Sequence, residues 1–312
     1  MKTYLEIDSW KNFQPYFPEE WRINDHNYPD EYYWEWGKYH VHIDCFKPKK
    51  KSKKIKLILL HGGGGNGRLL SPIGVCFSSM GFECIAPDLP GFGLTKSDEP
   101  NSYYTWIDLV NDLISYESKN ADSQIVLCGI SLGGMLAYQV AALNDNVSGL
   151  IVTSLADTRE KSVQLGLSKN KFFGSFSPFL IDKFSSVTDN IKIPIKLTTK
   201  MWAMANNAKF VKELKKDKVG SGSWVYLKFF RTLFEANPNL EPEHFNKCPL
   251  LFLQPEKDHI IPWSMSKRFY EKLDCQKNVI ILENCGHIPM EKPGLDQMKI
   301  GALNFLEKLE NK

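Results

Sequence analysis

From residue 55 onward, short apolar runs alternate with longer stretches in which apolar positions recur every three or four residues. Residues 55–60 (IKLILL), 82–86, 125–128, 150–153, 250–253 and 279–282 are near-continuous apolar runs bounded by Gly, Pro, Asp or Asn. That is the pattern of strands covered on both faces, as in a parallel sheet. Between them, residues 103–118, 132–143, 264–273 and 295–309 carry helical spacing. This rhythm predicts an α/β fold, a mostly parallel sheet with helices on both faces. Residues 39–45 alternate and are expected to open the sheet as an antiparallel hairpin. The rhythm breaks between about 157 and 246. There, large apolar residues at helical spacing (Phe172, Phe173, Phe176, Phe179 and Leu180, then Met201, Trp202 and Met204, then Trp224, Tyr226, Phe229, Phe230 and Phe234) predict a helical insertion over the sheet's C-terminal edge.

Composition narrows the class. With 43% hydrophobic and 24% charged residues in 312, the chain has the make-up of a globular protein able to bury a large core. A net charge of +3 is too small to imply a nucleic-acid partner. The run from Lys47 to Lys54 reads as a solvated hairpin connection, with contact to an anionic membrane surface as the alternative. The seven cysteines (45, 76, 84, 128, 248, 275 and 285) are scattered, odd in number and without a CxxC pair, so they read as buried free thiols in a reducing compartment. The N-terminus lacks the apolar core of a signal peptide, and no stretch approaches the roughly 20 apolar residues of a membrane span. A cytoplasmic location is expected.

The chemistry centres on Gly129-Ile130-Ser131-Leu132-Gly133, placed between the run 125–128 and a helical segment. A strand-to-helix turn this sharp exposes the serine hydroxyl, and the flanking glycines remove side chains that would collide there. A serine hydroxyl needs a base within reach, itself oriented by a third group. His287 follows the last apolar run and is delivered to the same sheet edge as Ser131. His26, His40, His42 and His244 lie elsewhere in the chain, and His259 adjoins the candidate acid and should point away. His40 and His42 share one strand face, but without a third ligand they do not make a metal site. The orienting carboxylate is placed at Asp258, in the loop after 250–253, with Asp157 and Glu256 as rivals. His61 and Gly62–Gly65 follow the run 55–60. They lack the lysine of a phosphate-binding loop and the acidic partner of a dinucleotide site. They suit an oxyanion loop, in which the N–H of Gly63 or a neighbouring glycine joins that of Leu132.

Taken together, HGGGG (61–65), DLPGFG (88–93), GISLGG (129–134), the Asp258 loop and Gly286-His287 closely resemble the α/β-hydrolase superfamily, from about residue 39 to 309. They stand in that family's order of nucleophile, acid and histidine. The resemblance implies an eight-stranded-type sheet with a lid, a core of residues 1–156 and 247–312, and a cap of 157–246. It also separates branches. Halide- and epoxide-processing members use an aspartate where Ser131 stands. GISLGG and DLPGFG do not match the proline iminopeptidases, and Ile130 stands where carbon–carbon bond hydrolases often carry Asn or His. What remains is similar to capped carboxylesterases and monoacylglycerol-lipase-type enzymes, with Asp88 taken as structural. The aromatic residues of 157–246 either line an apolar acyl pocket or pack the cap on the core.

The sequence therefore predicts a serine hydrolase acting on a small-molecule carboxylic ester with a lipophilic acyl group, without cofactor or metal. Amide or thioester cleavage on the same residues and a non-catalytic binding protein on this scaffold are the alternatives.

Overall fold

The computed structural model describes residues 1–49, 52–96, 99–120, 123–167 and 188–311. Lys50 and Lys51 of the basic run, and Phe172 to Leu180 of the aromatic series, lie outside the described residues. In chain order the strands are β1 Asp30–Trp36, β2 Tyr39–Phe46, β3 Ile55–Leu60, β4 Glu83–Pro87, β5 Gln124–Gly129, β6 Val147–Val152, β7 Lys192–Pro194, β8 Trp224–Tyr226, β9 Leu250–Pro255 and β10 Lys277–Leu282. The helices are α1 Ser71–Ser79, α2 Tyr103–Asn120, α3 Leu132–Leu143, α4 Lys161–Leu167, α5 Ile195–Thr198, α6 Ala208–Leu214, α7 Leu227–Glu235, α8 Trp263–Lys272 and α9 Gly294–Glu310.

Eight strands form one sheet in the order β1-β2-β4-β3-β5-β6-β9-β10, parallel from β4 to β10 and antiparallel at the β1–β2 end. Alternation along each central strand feeds two cores. Ile58, Leu60, Ile125 and Leu127 pack with residues of α2 and α3, while Leu57, Leu59, Val126 and Cys128 pack with residues of α1 and α9. Burial on both faces is why the sequence shows apolar runs instead of alternation in these strands. The arrangement brings the C-terminal ends of β3, β5, β6, β9 and β10 to one edge, where ligands bind in open α/β sheets.

Two expectations need correcting. The partner of β2 in its hairpin is the earlier β1, a half-exposed strand of sequence DEYYWEW. On its other side β2 pairs with β4, so the lysine-rich segment before β3 crosses over β4 and does not join neighbouring strands. Lys47 pairs with Asp30 at 2.7 Å and Lys53 with Glu310 at 3.2 Å, which ties both ends of that segment down. The segment 157–246 also contains more than helices. β7 and β8 form a two-stranded antiparallel ribbon, Ile193 opposite Val225, with α5 following directly.

The first 29 residues form short 3₁₀ turns, which the apolar pattern gave no sign of. Phe13, Tyr16 and Phe17 surround Phe210 of α6 with ring centroids 5.4–5.8 Å apart. This N-terminal segment therefore packs against residues of 157–246, in a cluster that also holds Val163, Met204 and Ile260. Six of the seven cysteines are buried and all are free. Among the described residues no helix is long and apolar enough to cross a membrane.

Candidate active site

Ser131 sits between β5 and α3 at φ 58°, ψ −126°, a conformation that non-glycine residues adopt only when their surroundings impose it. Close backbone approach imposes it. A β-carbon on Gly129 would lie 2.2 Å from the carbonyl oxygen of Gly133, and one on Gly133 would lie 2.1 Å from that of Leu60. The N–H of Ser131 donates to Thr153 Oγ1 at 2.9 Å, at the end of β6, and Ile130 N–H donates to the Leu60 carbonyl at 3.0 Å. The turn is thus anchored to both neighbouring strands.

His287 reaches the same point from the loop after β10. Its Nε2 lies 2.7 Å from Ser131 Oγ and its Nδ1 lies 2.8 Å from Asp258 Oδ2. The imidazole is 1% exposed, so its two ring nitrogens work against the protein and not against water. Backbone tethers hold the loop, with Ile288 N–H donating to the Met204 carbonyl at 2.9 Å and Gly286 N–H to Glu291 Oε2 at 3.2 Å. Asp258 accepts at Oδ1 from the N–H groups of Ile260 and Ile261, 2.8 and 2.9 Å away, and at Oδ2 from Ser154 Oγ at 3.3 Å. Burial alone would push this carboxyl up. The facing His287 and the two backbone donors outweigh it and hold Asp258 below the usual carboxylate range. A carboxylate facing Nδ1 favours the tautomer with its proton on that nitrogen, which turns the Nε2 lone pair to the serine hydroxyl.

The structure brings Ser131, His287 and Asp258 together and leaves the rivals apart. Asp157 is held by Arg159, at 2.6 Å between Oδ2 and Nη2. Glu256 accepts from Asn284 N–H at 2.8 Å on the surface. His259 turns away to Trp202, ring centroids 6.1 Å apart.

The glycine loop after β3 lies against the elbow. A β-carbon on Gly62 would sit 2.9 Å from Ser131 Cβ, and Gly63 shares a cavity wall with Ser131 and Leu132. Neither Gly63 N–H nor Leu132 N–H has an acceptor among the described residues. His61 is buried, which pushes its imidazole pKa down and keeps it neutral. Its Nδ1 is 2.8 Å from the Gly62 carbonyl and its Nε2 accepts from Leu89 N–H at 2.9 Å. From residues 188–246, Ser221 Oγ donates to the Gly64 carbonyl at 3.0 Å and Asp217 accepts from Asn66 Nδ2 at 3.2 Å. Thr153, Ser154, Ser221 and Asp217 were missed by sequence reasoning. The only signal was the polar pair Thr153-Ser154 directly after a buried strand.

His40 and His42 part company. His40 is exposed and sits 2.7 Å from Glu35, whereas His42 is buried 2.9 Å from Glu31 and 3.1 Å from Asp88. The donor atoms of Glu31, His42 and Asp44 do converge within 4.8 Å, but an internal cation already serves them. Arg68 reaches Asp44 through Nε at 2.6 Å and Nη2 at 2.8 Å, and Glu31 at 3.1 Å. Asp88 accepts from the N–H groups of Gly67 and Leu94, each at 2.7 Å, in keeping with a structural role.

Two cavities meet at Ser131 and His287, one of about 300 Å³ and one of about 60 Å³. The expected aromatic series divides between the two readings. Phe229, Phe230, Phe234 and Met204 line the larger cavity, while Trp202 and Trp224 are 65% and 60% exposed.

Comparison with known proteins places these features. A 97-residue stretch is 31% identical to protein ABHD8 of Bos taurus, covering 30% of this chain but only 22% of that relative's length. The human mitochondrial palmitoyl-protein thioesterase ABHD10 is 25% identical over 269 residues, 84% of this chain and 76% of its own. Among solved structures, a soluble variant of the Saccharomyces cerevisiae monoglyceride lipase, bound to a substrate analogue, superposes with a TM-score of 0.77 at 13% identity, over 94% of this chain and 98% of its own. Residues 56–293 match the family model described as the alpha/beta hydrolase fold. The sheet order, the strained serine after β5 and the loops that converge on it accord with that match, and the chain belongs to the α/β-hydrolase fold family.

Proposed function

We propose that the protein is a serine hydrolase that cleaves carboxylic esters with a lipophilic acyl group through an acyl-enzyme on Ser131. The observation that carries this reading is the continuous line from Ser131 Oγ to His287 Nε2, 2.7 Å, and from His287 Nδ1 to Asp258 Oδ2, 2.8 Å. Ser131 Oγ attacks the ester carbonyl as His287 Nε2 takes its proton, and Asp258 stabilises the imidazolium. The N–H groups of Gly63 and Leu132 hold the tetrahedral oxyanion, charge that water would otherwise have to solvate. His287 returns the proton to the departing alcohol, then activates a water that releases the acid. Residues 1–156 and 247–312 serve as the core and 157–246 as a cap, whose Phe229, Phe230 and Phe234 give the acyl cavity its apolar wall.

Release of acid from ethyl hexanoate, followed by titration, tests the reading. Ser131→Ala should lower kcat on the order of 10⁶-fold. Wild-type turnover by this variant would overturn the assignment.

Thioester cleavage is a second reading, favoured by the match to a thioesterase over 84% of this chain. The same three side chains would perform it. Matched ethyl hexanoate and S-ethyl hexanethioate separate the two by their kcat/KM ratio.

A further inference from the structure

Gly62 to Gly65 form a tight turn, closed by the Gly65 N–H donating to the Gly62 carbonyl at 3.0 Å. Gly64, the third residue of the turn, has φ 82°, a conformation that glycine adopts without strain. A trans peptide unit is planar, with its C=O and N–H pointing opposite ways. Whatever holds the Gly62 carbonyl therefore aims the Gly63 N–H, and whatever holds the Gly64 carbonyl aims the Gly65 N–H. The Gly62 carbonyl has two donors. One is Gly65 N–H; the other is His61 Nδ1, which carries the ring proton because Nε2 accepts from Leu89 N–H. The Gly64 carbonyl is held from outside the loop, by Ser221 Oγ at 3.0 Å.

Ser221 lies in the stretch 217–223, between α6 and β8, and is 1% exposed. That stretch folds around Asp217, whose backbone carbonyl accepts from Gly222 N–H at 2.7 Å and from Gly220 N–H at 3.3 Å. The Asp217 carboxyl accepts from Val219 N–H at 3.2 Å, from Ser9 Oγ at 2.9 Å and from Asn66 Nδ2 at 3.2 Å. Asn66 directly follows the glycine turn, so 217–223 grips the loop at two points, Gly64 and Asn66. A β-carbon on Gly220 would lie 3.0 Å from the Gly64 carbonyl oxygen, so the two stretches meet closely at their backbones.

We propose that Ser221 is a positioning residue for oxyanion stabilisation: its hydroxyl, delivered by the proposed cap, holds the 62–65 turn so that the Gly63 N–H faces the charge forming at Ser131. The inference rests on the serine-hydrolase reading above. The bonds run in one line, from Ser221 O–H to the Gly64 carbonyl, from Gly65 N–H to the Gly62 carbonyl, and from Gly63 N–H to the oxyanion. In such a line each bond polarises the next, more so where water is excluded. Removing the first leaves a buried carbonyl unpaired and frees the turn to rotate the last donor. Ser221 also forms part of the wall of the smaller cavity. A hydroxyl that served there by touching substrate would act on ground-state binding as well, whereas positioning of an oxyanion donor acts on the transition state.

The test uses the full chain with Ser221→Ala and with Ser221→Cys, which nearly keeps the volume but donates more weakly. The readouts are kcat and KM for ethyl hexanoate, and inhibition by trifluoromethyl hexyl ketone and by methyl hexyl ketone. Ser131 adds to the fluorinated ketone and creates an oxyanion, whereas the plain ketone binds without adding. Ser221→Ala should lower kcat about tenfold, less than the roughly 10²–10³ lost when an oxyanion donor is deleted, with KM held within about twofold. The inhibition constant of the fluorinated ketone should rise by a similar factor, that of the plain ketone should hold, and the cysteine variant should fall between. An unchanged kcat in the alanine variant, or a loss shared equally by KM and by plain-ketone binding, would overturn the proposal. If the alanine variant does not fold, the cysteine variant decides on the same readouts. A wild type that binds both ketones alike would sink the serine-hydrolase reading and this inference with it. A wild type that strongly favours the fluorinated ketone, with Ser221 variants that keep the full margin, sinks the inference alone.

Discussion

Ser131 is held at φ 58° by its neighbours, and a strained residue of this kind stores about 1–3 kcal/mol that other contacts must offset. Thr153 supplies one such contact by accepting the Ser131 N–H. Thr153→Val keeps the shape and removes the acceptor, leaving a half-buried donor unpaired. It should lower stability by about 1–3 kcal/mol in urea unfolding, with a fall in kcat, because the same bond orients the proposed nucleophile. An unchanged midpoint and rate would show that the elbow needs no support from β6. Ser131, His287 and Asp258 were legible in the sequence because each follows an apolar run at the same sheet edge. Thr153 and Ser154 were not, since their partners at 131 and 258 become neighbours only once β6 lies between β5 and β9. Asp258 was preferred to Asp157 from its place after the run 250–253; the capture of Asp157 by Arg159 was not legible there.

At the scale of elements, the six apolar runs all became strands of the sheet and the four helical stretches all became helices. The signal is strongest for β3, β4, β5, β6 and β9, which are buried between two neighbouring strands, whereas β10 is a half-exposed edge strand. β1 escaped notice because its acids and aromatics (DEYYWEW) do not alternate and sit half-exposed on the sheet edge, and the 3₁₀ turns of the N-terminus have no period to read. The strand–turn–helix unit around Ser131 depends on backbone contact more than on side chains. Gly133→Ala would place a β-carbon 2.1 Å from the Leu60 carbonyl oxygen, with no flexible side chain to yield. A loss of more than about 4 kcal/mol is predicted, read as a collapse of the thermal transition or of folded yield. Retention of the wild-type midpoint would mean that α3 can slide away from β3.

Across the whole molecule, buried charge ties the N-terminal segment, the sheet edge and the glycine loop to one another. Arg68 stacks on Tyr4, Trp10 and Tyr28 at 4.6–4.9 Å while its guanidinium holds Asp44 and Glu31. Beside it, burial would lower the His42 pKa, but Asp88, Glu31 and Asp44 outweigh burial and raise it from 6.5 to about 10. A raised cationic pKa stabilises the fold fully below the unfolded value and loses that contribution as pH rises through the folded one. The thermal midpoint should therefore decline between about pH 6.5 and 10, and His42→Asn should flatten that decline. A variant profile parallel to the wild type would remove His42 from the account. In the proposed mechanism this scaffolding serves one event, the activation of a single hydroxyl by the imidazole beside it. Fluorophosphonate treatment followed by peptide mass mapping reads that event directly. The account predicts one adduct, on Ser131, formed far more slowly in His287→Ala; ester hydrolysis that persists with Ser131 unmodified, or an adduct on another residue, would contradict it.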